Sequence, residues 1–305
     1  MGNVFCVIMS KYRIYQGVAL YRSLEYNSKR FKMFILCVDD ESYKLCKELN
    51  LANAILIRDI DLNDERIIVA KKERRLNEYC WTLKPFFLEY VLNNYSTIEN
   101  VVYLDADICF FNDPSPIFEA NKGYSIQLSD HDFQESNSSV EQICGIYNSG
   151  FIVFKNCKTG LYALKWWKEK CIDWCRDGVD EGRFGDQKYL EIMPIIFDEV
   201  FSINTQGVNV APWNESKYQF SNKNGKVYIN DFKLICYHYC GLRLLNKNFY
   251  SLVIGSQKPN SFIHTPYTIV LQQVISDIEC VSPGFEGYFI EEHFKKSGTI
   301  YKLGK

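Results

Sequence analysis

A chain of 305 residues with 47% hydrophobic and 15% aromatic content buries a large core, which excludes a disordered or collagen-like protein. Its formal net charge of -2 provides no general attraction to nucleic acid or to anionic membranes. The apolar run Val4–Met9 is too short for a secretory leader or a membrane span. Residues 3–9 read as a strand and 13–27 as a helix, with Val18, Ala19, Tyr21, Arg22 and Leu24 at helical spacing. "KMFILCVDD" (32–40) is a second buried strand, 41–49 a helix and "NAILIRD" (53–59) a third strand. This alternation signals parallel βαβ units. A charged helical segment covers 63–75, and Pro85 marks the start of a helix whose face is Phe86, Phe87, Tyr90 and Val91.

The strand "NVVYLDAD" follows, then strands near 123–128 and 147–155 and a helix over 160–175. In that helix Leu161, Leu164, Trp167, Cys171 and Trp174 form an aromatic core stripe. A short helix at 185–193, strands within 225–238 and a helix around 267–275 complete the pattern. The twelve cysteines are scattered and contain no CxxC pair, so zinc-ribbon and thioredoxin motifs are unlike this chain. Without a leader they read as reduced thiols of a cytoplasmic protein, and the sequons at Asn137 and Asn214 as chance matches.

Ligands of an open parallel sheet bind beyond the carboxyl ends of its strands. Asp105 and Asp107, in "VVYLDADICFF", fall there. In an extended segment residues i and i+2 share a side, so both carboxylates face one group. Left unpaired they repel, and one protonates. A divalent cation removes the repulsion, and hard oxygen ligands suit Mg²⁺ or Mn²⁺. The plain alternative is a solvated acidic turn. His238 ends "KLICYH" ahead of Gly241, which lets backbone approach a ligand. It reads either as a nitrogen ligand, favouring Mn²⁺, or as a hydrogen-bonded structural histidine. His131, His264 and His293 receive no role.

The stretches "YLDADICFFNDPSPIF", "YNSGFIVFKN", "GDQKYL", "NVAPWN" and "YHYCG" occur in the order seen in GT-A nucleotide-sugar glycosyltransferases. The chain most resembles the retaining family eight, which includes glycogenin and bacterial lipopolysaccharide hexosyltransferases, over roughly residues 3–245. The resemblance implies an α/β GT-A fold: a Rossmann-like, mixed but mostly parallel sheet flanked by helices. The transferase domain then spans 1–245, and 246–305 is a C-terminal extension with a helix and a basic tail. It also implies Mn²⁺-dependent (or Mg²⁺-dependent) transfer of a sugar from a nucleotide diphosphate donor, most commonly a UDP-sugar. By position, Asp105, Asp107 and His238 match the metal ligands, and Asp186 and Gln187 the pair beside the donor sugar. Asn148 falls near donor sugar and acceptor, Tyr12 near the base, and Lys84 near the donor phosphates or sugar. The chain departs from the family in having "HYCGLRLLNK" where a Lys-Pro-Trp commonly grips the diphosphate, which leaves Arg243 or Lys247 for that role.

Loss of a nucleoside diphosphate leaves oxocarbenium character on the sugar. Asp186 would hold sugar hydroxyls, with Gln187 near the anomeric carbon. Retention lets the diphosphate accept the acceptor's proton, whereas inversion needs a carboxylate base; Asp130, Asp132 and Glu135 of "SDHDFQE" are the candidates. Plainer readings stand beside these: Asp186 as a helix N-cap, Asn148 as a turn residue, Lys84 as a solvated charge, Tyr12 as a cap on the sheet. Two other classes compete, a non-catalytic nucleotide-sugar-binding module and a nucleotidyltransferase. The latter normally carries a Gly-rich loop near its N-terminus, which "VIMSKYRIYQG" lacks, and no P-loop occurs. The expected acceptor is a glycan or lipid-linked saccharide of bacterial surface polysaccharide, such as lipopolysaccharide. Tail lysines 295, 296, 302 and 305 allow a weak contact with the inner face of a membrane carrying it.

Overall fold

The computed structural model describes residues 3–256, 258–287, 289–290 and 298–304. The first half alternates as expected: β1 (Asn3–Met9), α1 (Ile14–Asn27), β2 (Phe31–Cys37), α2 (Asp40–Leu49) and β3 (Ala54–Arg58). The helix α3 (Glu65–Glu73) is followed by α4 (Leu76–Asn94), β4 (Asn100–Leu104) and β5 (Ile108–Phe110). Then come α5 (Ser115–Ala120), β6 (Ile126–Asp130), α6 (Ser138–Cys144), β7 (Tyr147–Lys155) and α7 (Lys158–Asp173). A 3₁₀ turn (Lys188–Ile192) leads into α8 (Met193–Ile196) and β8 (Val200–Ile203). The remaining elements are β9 (Phe220–Lys223), β10 (Lys226–Ile229), β11 (Phe232–Lys233), β12 (Cys236–His238), β13 (Leu242–Leu244), β14 (Phe249–Leu252), α9 (His264–Val281) and β15 (Ile300–Lys302).

Seven strands form one sheet in the order β3-β2-β1-β4-β7-β6-β8. β1 runs parallel to β2 and β4, β2 to β3 and β6 to β8, whereas β7 is antiparallel to both its neighbours. Both faces are covered, which explains the unbroken apolar runs of the central strands. Phe5, Val7 and Met9 of β1 enter the core under α1 and α9, while Val4, Cys6 and Ile8 enter the core under α4 and α7. Leu161, Leu164, Trp167 and Cys171 of α7 pack as expected, whereas Trp174 lies past the helix end beneath Arg183; Trp167 is fully buried with Nε1 donating to the carbonyl of Asp186 at 2.9 Å. Removing such an indole leaves a cavity worth about 3–5 kcal/mol.

Pro85 does not start a helix. It lies well inside α4, which begins nine residues earlier because Glu78 accepts from the backbone N–H of Arg75 at 3.0 Å and closes the first turn. Proline's missing N–H leaves the carbonyl of Trp81 without its helical donor. β13 and β14 form a hairpin across position 245, and α9 packs on α1 and α2. Tyr267 of α9 stacks on Tyr239 with centroids 3.6 Å apart, buttressing the chain directly after His238. The twelve cysteines are free thiols, most of them buried. Among the described residues no helix is long and apolar enough to cross a membrane. Lys302 is exposed in β15, and His293, Lys295, Lys296 and Lys305 lie outside the described residues.

Candidate active site

The acids do not converge by strand pleat. β4 ends at Leu104, and Asp105–Asp107 form a turn closed by the Ile108 N–H donating to the Asp105 carbonyl at 3.1 Å. Two ladders then fix their positions. The Asp105 N–H donates to the carbonyl of Gly150 in β7 at 2.8 Å, and the Tyr239 N–H donates to the carbonyl of Asp107 at 2.7 Å. β5 pairs antiparallel with β12, setting His238 opposite Ile108 and so beside Asp107. The His238 Nε2 lies 3.0 Å from Asp107 Oδ1 and 3.9 Å from Asp105 Oδ2, and the three side chains offer ligand atoms all within 4.8 Å of one another.

The imidazole is oriented from behind. Its Nδ1 faces Asn209 Oδ1 at 3.4 Å, leaving Nε2 turned to the acids, while Trp213 meets the ring edge-on at 5.2 Å. Burial works against a charged ring, yet Asp107 and Asp105 raise its basicity above the ordinary value. Burial likewise opposes ionisation of Asp107, but His238, Arg13 and Arg243 hold its carboxyl well below the usual range. Gly150 completes the cradle: a Cβ there would stand 2.7 Å from Asn148 Oδ1, Asp105 Oδ2 and His238 Cε1. The glycine leaves that volume clear. Two carboxylates, one ring nitrogen turned toward them, and a cleared space fit a hard divalent cation.

Lys84 lies in the interior of α4 and is buried, not solvated. Its ammonium sits 3.1 Å from Asp105 Oδ1 and 3.2 Å from Asp186 Oδ2, donates to Ser149 Oγ at 2.9 Å and lies over the Tyr103 ring. Burial disfavours the charge, but the two carboxylates overcome it and Lys84 stays protonated. Asp186 is not a helix cap: the 3₁₀ turn is preceded by Gln187, and the Asp186 carboxyl is buried against Lys84. Burial raises its pKa, with Lys84 opposing. Gln187 Nε2 donates to the Cys144 carbonyl at 2.9 Å. In Asn148, Oδ1 accepts from the Gly150 N–H at 3.0 Å and Nδ2 lies 3.3 Å from His131 Nε2. The pairing of β6 with β7 breaks register between Leu128 and Ser129, a bulge that turns residues 148–150 toward the acids.

Arg243 lies in the field of Asp107, whereas Lys247 pairs with Glu279 of α9 at 2.6 Å. Tyr12 is partly buried beside Lys11, whose backbone N–H donates to Asp39 Oδ2 at 2.9 Å. Gly241 serves a turn: its φ is +86° and a Cβ would press on Ile254 at 2.9 Å. A cleft of about 500 Å³ opens at the carboxyl ends of β2 and β3, lined by Asp39, Asp40, Arg58 and Lys71 among others. Asn209 and Trp213 belong to "NVAPWN", which sequence reading leaves without a role. His131 also gains one, since its Nδ1–H donates to the Gly145 carbonyl at 2.8 Å, its Nε2 meets Asn148, and burial lowers its pKa to about 3.

A Rossmann-like sheet with a candidate cation site at its carboxyl edge is the arrangement of a nucleotide-dependent α/β transferase. A family model for nucleotide-diphospho-sugar transferases matches residues 29–193, and the chain belongs to that family and is a glycosyltransferase. The uncharacterized protein YfnF of Bacillus subtilis (strain 168) is 37% identical over 296 residues, covering 94% of this chain and 98% of that protein. YfnD of the same strain, also uncharacterized, is 32% identical over 295 residues, 95% of each chain. Among solved structures, the galactosyltransferase LgtC with donor and acceptor sugar analogs superposes with a TM-score of 0.59 at 14% identity, covering 93% of this chain and 98% of that one. The bifunctional glycosyltransferase WbbM gives 0.51 at 14% identity, covering 97% of this chain and 52% of its own. These likenesses show the GT-A fold.

Proposed function

We propose that the protein transfers a sugar from a nucleoside diphosphate donor, a UDP-sugar by preference, to a glycan or lipid-linked saccharide, with Mn²⁺ or Mg²⁺ held by Asp105, Asp107 and His238. The observation that carries this reading is the convergence of Asp105 and Asp107 with His238, about 130 residues further along the chain. When bound, the cation supplies positive charge for the departing diphosphate. The chain's own residues do the rest. Lys84 holds Asp105 and Asp186 in place, Asp186 and Gln187 face the donor sugar, Asn148 lies between sugar and acceptor, and Tyr12 meets the base. Arg243 takes the diphosphate in place of Lys247, whose ammonium is spent on Glu279. A role in bacterial surface polysaccharide synthesis, at the inner face of the membrane, follows the family resemblance.

The test incubates the protein with Mn²⁺ and a panel of nucleotide sugars. At least one donor should release free nucleoside diphosphate, EDTA should stop it, and Asp107→Ala should lower the rate about a thousandfold or more. Failure of every donor to bind or turn over with metal would sink the enzyme reading in favour of a different role for the fold.

We propose transfer with retention. Of the three candidate bases, Asp132 is committed to Lys217 and to the Tyr218 hydroxyl, and Glu135 is exposed on a 3₁₀ turn. Asp130 alone is half-buried, its carboxyl pushed up to about 6 by burial and then by Asp132 and Glu141. Under retention Asp130→Asn keeps the transfer rate within about tenfold, because no side-chain base is needed. A drop of about 10²–10⁴ would identify a general base and inversion, and the anomer seen by NMR decides independently.

A further inference from the structure

We propose that His131 is a positioning residue for the transfer: its Nε2 lone pair holds the Asn148 amide in the orientation that turns the carbonyl oxygen, not the NH₂, toward the space cleared beside Asp105 and His238. The inference rests on the reading of Asn148 as lying between donor sugar and acceptor.

Strand register brings the two side chains together. Ser129 pairs with Asn148 and Asp130 with Tyr147, and the ladder runs on one residue past β6, where the His131 N–H donates to the Ile146 carbonyl at 2.8 Å. Asn148 is then the diagonal cross-strand neighbour of His131, within reach of a ring. The other side of the backbone is pinned as well, since the His131 carbonyl accepts from Trp213 Nε1 at 2.8 Å and from Asn214 Nδ2 at 2.9 Å. The imidazole stacks on Phe133 with centroids 4.6 Å apart and stands roughly perpendicular to Trp213 at 5.3 Å. It is buried and has little freedom to turn.

Donors and acceptors then fix the amide. The Gly145 carbonyl, 2.8 Å from Nδ1, can only accept, so Nδ1 carries the proton. Burial pushes the pKa of His131 down to about 3, so Nε2 keeps its lone pair at neutral pH. Asn148 Nδ2 lies 3.3 Å from that lone pair, and Oδ1 accepts from the Gly150 N–H at 3.0 Å. A flipped amide would set oxygen against a lone pair and NH₂ against an N–H, so both neighbours select the same orientation. A Cβ at Gly150 would stand 2.7 Å from Asn148 Oδ1 as well as from Asp105 Oδ2 and His238 Cε1, so the amide oxygen borders the cleared space. There it offers an acceptor to a sugar or acceptor hydroxyl.

The two ring nitrogens can be replaced one at a time. Asparagine sets its amide nitrogen near the place of Nδ1 and keeps the bond to Gly145. Glutamine reaches the place of Nε2 and keeps an acceptor for Asn148, but loses the bond to Gly145. Both variants are compared with wild type in the full chain, with Mn²⁺ and the nucleotide sugar turned over fastest. His131→Asn should lower kcat about tenfold or more, with the donor KM within about threefold. His131→Gln should keep kcat within about threefold of wild type, yet melt about 2–5 °C below His131→Asn because the buried Gly145 carbonyl has lost its donor. A histidine that only fills space gives the opposite order, with activity following stability. On an Asn148→Ala background His131→Asn should change the rate by less than about twofold, because it acts through that amide. Nitrogen NMR of isotope-labelled histidine at neutral pH, with His131 identified as the one of four histidines missing from His131→Gln, should show a protonated Nδ1 and a bare Nε2. Wild-type kcat in His131→Asn, an additive loss on the Asn148→Ala background, or a proton on Nε2 overturns the positioning role while leaving the transferase reading intact. If the wild-type chain turns over no donor with Mn²⁺, the transferase reading and this role fall together.

Discussion

Alanine in place of Gly150 will remove the proposed metal-dependent sugar transfer and leave the chain folded. The backbone at 150 is ordinary strand, so the change has no conformational penalty of the kind a left-handed glycine carries. Its whole effect is steric. The added methyl would stand 2.7 Å from Asn148 Oδ1, Asp105 Oδ2 and His238 Cε1, closer than real Cβ atoms approach such neighbours. Those three atoms belong to two proposed cation ligands and to the residue proposed to lie between sugar and acceptor. The clash is relieved only by moving them. Since the methyl enters the cradle and not the apolar layers on either face of the sheet, stability should change by no more than about 2 kcal/mol. Misplacing charged ligands by several tenths of an ångström should lower transfer about a thousandfold and weaken Mn²⁺ binding at least tenfold. Rates with the best donor, Mn²⁺ titration followed by electron paramagnetic resonance, and a melting curve together check this. A Gly150→Ala protein that binds Mn²⁺ and turns over normally would show that the space beside Asp105 and His238 does not serve a cation.

The parts of this site that were readable in the chain are those whose residue type is itself unexpected. Two carboxylates at the end of an apolar strand stand out because a core rejects them, and a histidine closing "KLICYH" stands out for the same reason. Strands β1 to β4 are legible because burial on both faces leaves unbroken apolar runs. The strand β8 and the β13–β14–β15 sheet are short and only partly apolar, so they carry no comparable pattern. Pro85 misled because a proline that suits a helix start also survives inside a helix packed on both sides. Gly150, Asn209 and Trp213 were illegible for another reason. A glycine that clears a volume, or an amide that orients a ring, acquires its meaning from residues about 25 to 90 positions away that only the fold brings near.

Lys84→Met should destabilise the protein by about 3–5 kcal/mol and lower its melting temperature by about 5–15 °C. The ammonium is buried and shared between Asp105 and Asp186, and a thioether of similar length fills its space without its charge. Asp186 is then left as a buried carboxylate with no compensating cation, a far larger penalty than the loss of an exposed ion pair. Two recoveries separate this explanation from simple loss of packing. Asp186 already has its pKa raised by burial, and removing Lys84 raises it further. A carboxyl whose folded pKa exceeds its unfolded value binds more protons folded than unfolded, so stability should climb as pH falls from 7 toward about 5. The variant should therefore regain part of its melting temperature in acid. Mn²⁺ should restore part of it too, because the acid pair now carries one more uncompensated negative charge and a cation that binds only the folded chain stabilises it. A Lys84→Met protein that melts with the wild type at pH 7, or whose deficit ignores both acid and Mn²⁺, would mean that the ammonium does not hold the two acids in place, and Lys84 would lose its proposed part in shaping the site.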